Sequence, residues 1–146
     1  MIGKYKKFDK ELFNDNDPKC RKVVKDYLAK YNIFVNDNPN KYGVDLLSED
    51  ESVQLELERR TGWIKEEFPF KEVNIPERKA KFFTNGKVSY VVISNDYSHI
   101  GIITPKKVQK YIDKKYLKES SNRFIQSGEL FYKIPKSEFK WVKIDN

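Results

Sequence analysis

Residues 88–94, Val-Ser-Tyr-Val-Val-Ile-Ser, constrain the fold more than any other stretch of the chain. β-Branched and aromatic side chains fill the run and an Asn85-Gly86 turn precedes it, which predicts a strand over Val88–Ser94 with Ile100–Thr104 as its hairpin partner. A sheet must therefore organise whatever core forms. Further extended segments are expected at Ile33–Val35, Tyr42–Leu47, Val53–Arg59, Val73–Ile75, Lys79–Phe83, Leu130–Ile134 and Phe139–Ile144.

Helical periodicity appears at two places. Over 18–31, Val23, Val24, Tyr27, Leu28 and Tyr31 share one face, with Asp17 as N-cap and Pro18 at the first helical position. Cys20 extends that stripe and reads as a small buried hydrophobe. From 105 to about 118, Val108, Tyr111, Ile112 and Tyr116 form an apolar face after Thr104 and Pro105. A shorter helix around 7–13 and a helical turn at Trp63–Glu67 are also expected. The order predicts an α/β (α+β) fold, a mixed sheet flanked by helices, with the 146 residues forming one domain.

Charge narrows the partners. The formal net charge is +7, with a pI near 9.3, which favours polyanions, nucleic acid before an anionic membrane surface. Arg is scarce beside Lys, Asn, Tyr, Phe and Ile, a bias that fits an AT-rich bacterial or phage coding genome. One cysteine cannot make an internal disulfide or a zinc site, so a reducing cytoplasm is the expected compartment. The first residues carry no apolar signal-peptide region, and no apolar run approaches a membrane span. With a single His99, a metal would have to be held by carboxylates, which selects a hard cation such as Mg²⁺.

Carboxylates stand in a suggestive pattern. Asp45 in Gly43-Val44-Asp45-Leu46-Leu47 is followed by Glu56 and Glu58 in Gln54-Leu55-Glu56-Leu57-Glu58. Strand alternation turns Gln54, Glu56, Glu58 and Arg60 to one face and Val53, Leu55 and Leu57 to the other. If the two strands pair, Asp45 reaches both glutamates, and a divalent cation would relieve the repulsion among them. The plainer reading is a solvent-facing strand whose glutamates pair with Arg59 and Arg60.

The Asp45-x10-Glu56-x-Glu58 pattern resembles the signature of the PD-(D/E)XK nucleases, whose fold is that of restriction enzymes and Holliday-junction resolvases. The resemblance covers roughly residues 10–118. It implies a restriction endonuclease-like sheet, and Mg²⁺ or Mn²⁺ held by Asp45, Glu56 and the Leu57 carbonyl. Glu58 stands where the family usually has lysine, so Glu58 or a migrated Lys79 would act on the attacking water. The family sometimes adds an acid from its first helix. Glu11 and Asp17 are available, though Asp17 is better explained as a cap.

Surface cations complete the reading. Arg60, Arg78, Lys106, Lys110 and Lys114 are candidates to hold a nucleic-acid backbone, set against the plainer view that the lysine helix is a solvated face. Trp63 and Trp141 read as core or core-edge residues, with base stacking as the alternative for Trp63, and His99 as a loop residue. The function expected is a Mg²⁺-dependent endonuclease hydrolysing DNA, for which a homodimer would supply cuts in both strands. The alternatives are an inactive nuclease-like fold that binds nucleic acid or a protein, and a small basic interaction protein.

Overall fold

The computed structural model describes residues 18–64, 66–113, 117–119 and 130–144. Helix α1 (Pro18–Ala29) is followed by strands β1 (Asn36–Asp37), β2 (Leu46–Leu47), β3 (Gln54–Arg60) and β4 (Glu72–Pro76). A 3-10 helix over Glu77–Phe82 leads to β5 (Val88–Ser94) and β6 (His99–Ile103). Helix α2 (Pro105–Asp113), β7 (Leu117–Glu119), β8 (Leu130–Pro135), a 3-10 turn and β9 (Lys140–Lys143) complete the order.

The strands make a six-stranded sheet in the order β1-β2-β3-β5-β6-β9 and a three-stranded sheet in the order β4-β8-β7. All pairings are antiparallel except β3 with β5, where Glu56 lies opposite Tyr90 and Glu58 opposite Val92. The chain is thus mixed α/β, its larger sheet mostly antiparallel and flanked by helices. No helix among the described residues is long and apolar enough to cross a membrane.

Alternation along the central strands sorts the core into two clusters. On one face Leu55, Leu57, Val91, Ile93 and Ile100 pack with Cys20, Val24 and Tyr27 of α1. On the other, Val88, Tyr90, Val92 and Ile103 pack with Val108 and Ile112 of α2 and with Val73, Ile75, Tyr132 and Ile134 of the smaller sheet. Strand β5 is covered on both sides, which explains its near-continuous apolar run. Full burial of a side chain such as Ile93 or Ile100 stabilises by about 1.5–3 kcal/mol.

Several expectations are corrected. Pairing at Ile33–Val35 shifts to Asn36–Asp37, and the strand expected over Tyr42–Leu47 shrinks to Leu46–Leu47. Residues 38–44 instead close a polar turn, in which Tyr42 N–H donates to Asn40 Oδ1 and Asn38 Nδ2 donates to the Val44 carbonyl. Lys79–Phe83, expected to be extended, lies largely within the 3-10 helix and its C-cap, where Phe83 N–H reaches the Ala80 carbonyl. The second helix stops at Asp113 among the described residues, and Leu117–Glu119 pairs with β8 instead of continuing it. Trp63–Glu67 contains no helix among its described residues. The expected helix at 7–13, together with Glu11, Asp17, Lys114 and Tyr116, lies outside the described residues.

Candidate active site

The site forms where β2 begins beside the middle of β3. Asp45 N–H still donates to the Leu55 carbonyl at 3.1 Å, but one residue further along β3 the ladder passes to a side chain. Asp45 Oδ2 accepts the Leu57 N–H at 2.8 Å, so a carboxylate replaces the next backbone partner. In a strand, N–H and C=O of one residue point the same way, so the Leu57 carbonyl faces that same edge. The other carboxylate oxygen is held from α1. Arg21 donates through Nη2 to Asp45 Oδ1 at 3.1 Å and through Nη1 to the Asp45 carbonyl at 3.0 Å, and reaches Asp37 Oδ1 at 3.2 Å.

Glu56 and Glu58 share the opposite face of β3, but their surroundings differ. Glu56 is 6% exposed, Lys79 Nζ lies 3.3 Å from its Oε2, and its Oε1 is buried without a hydrogen-bond partner. Burial and then the neighbouring Asp45 charge push its carboxyl up to about 7, partly offset by Lys79. Glu58 receives the Tyr90 hydroxyl at 2.6 Å and Lys79 Nζ at 3.2 Å, with Arg60 Nη1 at 3.8 Å. Burial works to raise Glu58, but the Arg60 and Lys79 cations and the Tyr90 bond outweigh it and bring the carboxyl down to about 2. Glu58 is therefore a firmly ionised anchor.

Lys79 comes from the 3-10 helix after β4 and bridges both glutamates. Arg60, with a side chain 21% exposed, spends Nη2 on the Asn74 carbonyl and the Tyr90 hydroxyl, so it is tied inward to Glu58. Among the described residues no three His, Cys, Asp or Glu side chains gather closely enough to hold one ion. The Asp45 charge acts on Glu56, and Glu58, which shares Lys79 with Glu56, is also bonded by the Tyr90 hydroxyl. For a cation, the donor set on offer is two carboxylates and one carbonyl. The unpartnered Glu56 Oε1 fits it, since a buried carboxylate oxygen without a donor is the atom a cation would satisfy.

Arg78 is exposed on the 3-10 helix, and Lys106 and Lys110 are exposed on α2, opposite the buried Val108 and Ile112. Trp63 is core, at 1% exposed, in an aromatic group with Phe68 and Trp141. His99 lies on β6, its Nδ1 2.7 Å from Ser98 Oγ. Two site residues escaped the sequence. Arg21 sits one turn from Lys25 on α1, and both reach Asp37, a spacing that marks a cationic edge but names no partner. Tyr90 carries the one phenol in the β5 run, a polar tip in an apolar strand.

Compared with models of known protein families and with curated proteins, the chain matches none.

Proposed function

We propose that the chain is a Mg²⁺- or Mn²⁺-dependent endonuclease with a restriction endonuclease-like fold, hydrolysing DNA phosphodiester bonds in a cytoplasm. The observation that carries this reading is the buried, unpartnered Glu56 Oε1, on a carboxylate crowded by the charge of Asp45. Burial of an unsatisfied acid costs stability unless a cation makes use of it. The chain order of helix, strands, helix and strand, with Asp45 just before β2 and Glu56 on the neighbouring β3, also supports it.

In this reading Asp45 and Glu56 would hold the ion, with the Leu57 carbonyl beside them, and a divalent cation held there would supply Lewis-acid chemistry to the phosphate and a more acidic water. Lys79 places a positive charge next to Glu56, where it meets the charge that develops on the phosphate oxygens. Glu58, at about 2, is too weak a base to take a proton from water at neutral pH, so its part is to hold Lys79 in place with Tyr90 and Arg60. Lysine reaches the site through space from Lys79 where the usual motif supplies it from the strand. A second reading, a nuclease-like fold that binds nucleic acid without cutting, draws on Asp45, both of whose oxygens are already engaged by protein donors.

The test is cleavage of supercoiled, branched and single-stranded DNA with Mg²⁺ or Mn²⁺. Wild type should cut, while Asp45→Ala, Glu56→Ala and Lys79→Ala should each lose at least about a hundredfold in rate. Wild type that binds DNA but cuts none of the three substrates sustains the second reading. An Asp45→Ala variant as active as wild type would remove the site from the mechanism.

A further inference from the structure

Arg21 holds the acid that the other site cations leave. Lys79 lies within 4.0 Å of both glutamates and Arg60 within 4.0 Å of Glu58, while Arg21 pairs with Asp45 and also with Asp37. Arg60 and Lys79 serve the two glutamates, whereas Arg21 alone comes from α1 and takes Asp45 Oδ1. Its side chain is 14% exposed and lines a cleft of about 520 Å³ between α1 and the 38–45 turn. Lys22 and Lys25 from the helix and Lys41 from the turn share that lining. Lys22 pairs with Asp26 at 2.7 Å and Lys25 with Asp37 at 2.9 Å, and both acids line the cleft with Asp45, so its four basic residues exceed its acids by one.

We propose that Arg21 is an exchangeable latch: it holds Asp45 until a nucleic-acid phosphodiester entering this cleft takes over its guanidinium and frees Asp45 Oδ1. The inference rests on the metal-dependent reading and adds to it a substrate-backbone site and a coupling between that site and the metal ligands. A guanidinium binds carboxylate and phosphate oxygens with the same planar fork, so the Nη2 bond to Asp45 Oδ1 passes to a phosphate oxygen while Nη1 keeps Asp37 and the Asp45 carbonyl. While latched, Arg21 sets a positive charge 3.1 Å from an oxygen that a cation needs, which weakens cation binding in the absence of nucleic acid. Asp45 Oδ2 keeps the Leu57 N–H throughout, so release turns only one oxygen over.

The experiment measures Mn²⁺ binding calorimetrically without nucleic acid, and then binding of a short DNA duplex in Ca²⁺. The variants are wild type, Arg21→Met, Arg21→Gln, Arg21→Lys and the double variant Arg21→Met with Asp45→Asn, each checked for folding by thermal denaturation. The two neutral variants, which remove a positive charge from beside the ion, should bind Mn²⁺ roughly tenfold more tightly than wild type. Arg21→Lys, which keeps the charge, should stay near wild type, and the double variant should lose the gain. Both neutral variants should also bind the duplex more weakly. The Gln variant keeps a donor for Asp45, so it reports on charge even if the Met variant fails to fold. Neutral variants that bind Mn²⁺ no more tightly than wild type, or bind the duplex as well, overturn the latch while leaving the metal site standing. Absence of Mn²⁺ binding from wild type and every variant at millimolar concentration removes the metal reading, and the latch with it.

Discussion

Two glutamates separated by one residue on β3 have carboxyls shifted in opposite directions, and their contributions to stability oppose each other. Glu56 has its carboxyl raised to about 7 by burial and by Asp45. Between its ordinary value and 7 the folded state holds a proton that the unfolded chain has released. Its stabilising contribution is complete below about 4.5 and is lost as pH rises to about 7, on the order of 3 kcal/mol. Glu58, lowered to about 2, contributes stability above about 4.5 that is lost as pH falls towards 2. Chemical denaturation of the metal-free protein across this range should show Glu56→Gln flattening the neutral limb and raising stability at pH 8. Glu58→Gln should flatten the acid limb. A wild-type profile with no neutral limb would mean that Glu56 is not held protonated. Tyr90→Phe bears on the same contacts. It removes the hydroxyl that donates to Glu58 and accepts from Arg60, and should cost about 1.5–3 kcal/mol in denaturation midpoint measurements.

At the scale of elements, β6 and β9 meet through one glycine. Gly101 lies opposite Trp141, and a Cβ built on it would stand 2.4 Å from Trp141 Cζ3. The ring covers the glycine and packs on Trp63, Phe68 and Phe139, so it has little room to yield. Gly101→Ala should therefore destabilise by about 1–3 kcal/mol, read from urea denaturation, while an exposed substitution on the same sheet should not. The ease with which each element could be read from sequence follows its burial. β5 and β3 were legible because composition and alternation reflect a strand packed on one or both faces. The 3-10 helix was not, because Glu77-Arg78-Lys79-Ala80-Lys81 carries mixed charge and no buried position to set a period. β1 and β2, two residues each, are held by pairing with neighbours and leave almost no local pattern. The site divides in the same way: the closeness of Asp45 to Glu56 was visible, though Asp45 precedes β2, and Lys79 was visible as a nearby cation, whereas Arg21 and Tyr90 join from α1 and β5 through tertiary packing alone.

For the whole molecule, the proposed function asks which side of a +7 chain would meet DNA. The candidate site lies on β3 and at the start of β2, with α1 beside Asp45 and α2 packed over β5 and β8. Lys106 and Lys110 stand exposed on α2, and Lys110 lies 5.8 Å from the Tyr111 ring centroid. If the phosphate backbone runs across both helices, each lysine releases counterions when it binds. The double variant Lys106→Gln with Lys110→Gln should then weaken DNA binding regardless of sequence. It should also lower the magnitude of the log K against log salt slope by roughly 2. Fluorescence anisotropy titrations over a range of salt concentrations measure both quantities. An unchanged slope would make α2 a solvated face and leave the α1 cleft as the backbone track. Because Arg21 touches Asp45 while the α2 lysines do not, the two surfaces also separate by their effect on metal: neutralising α2 should shift the salt slope and leave Mn²⁺ affinity unchanged, whereas neutralising Arg21 should change both.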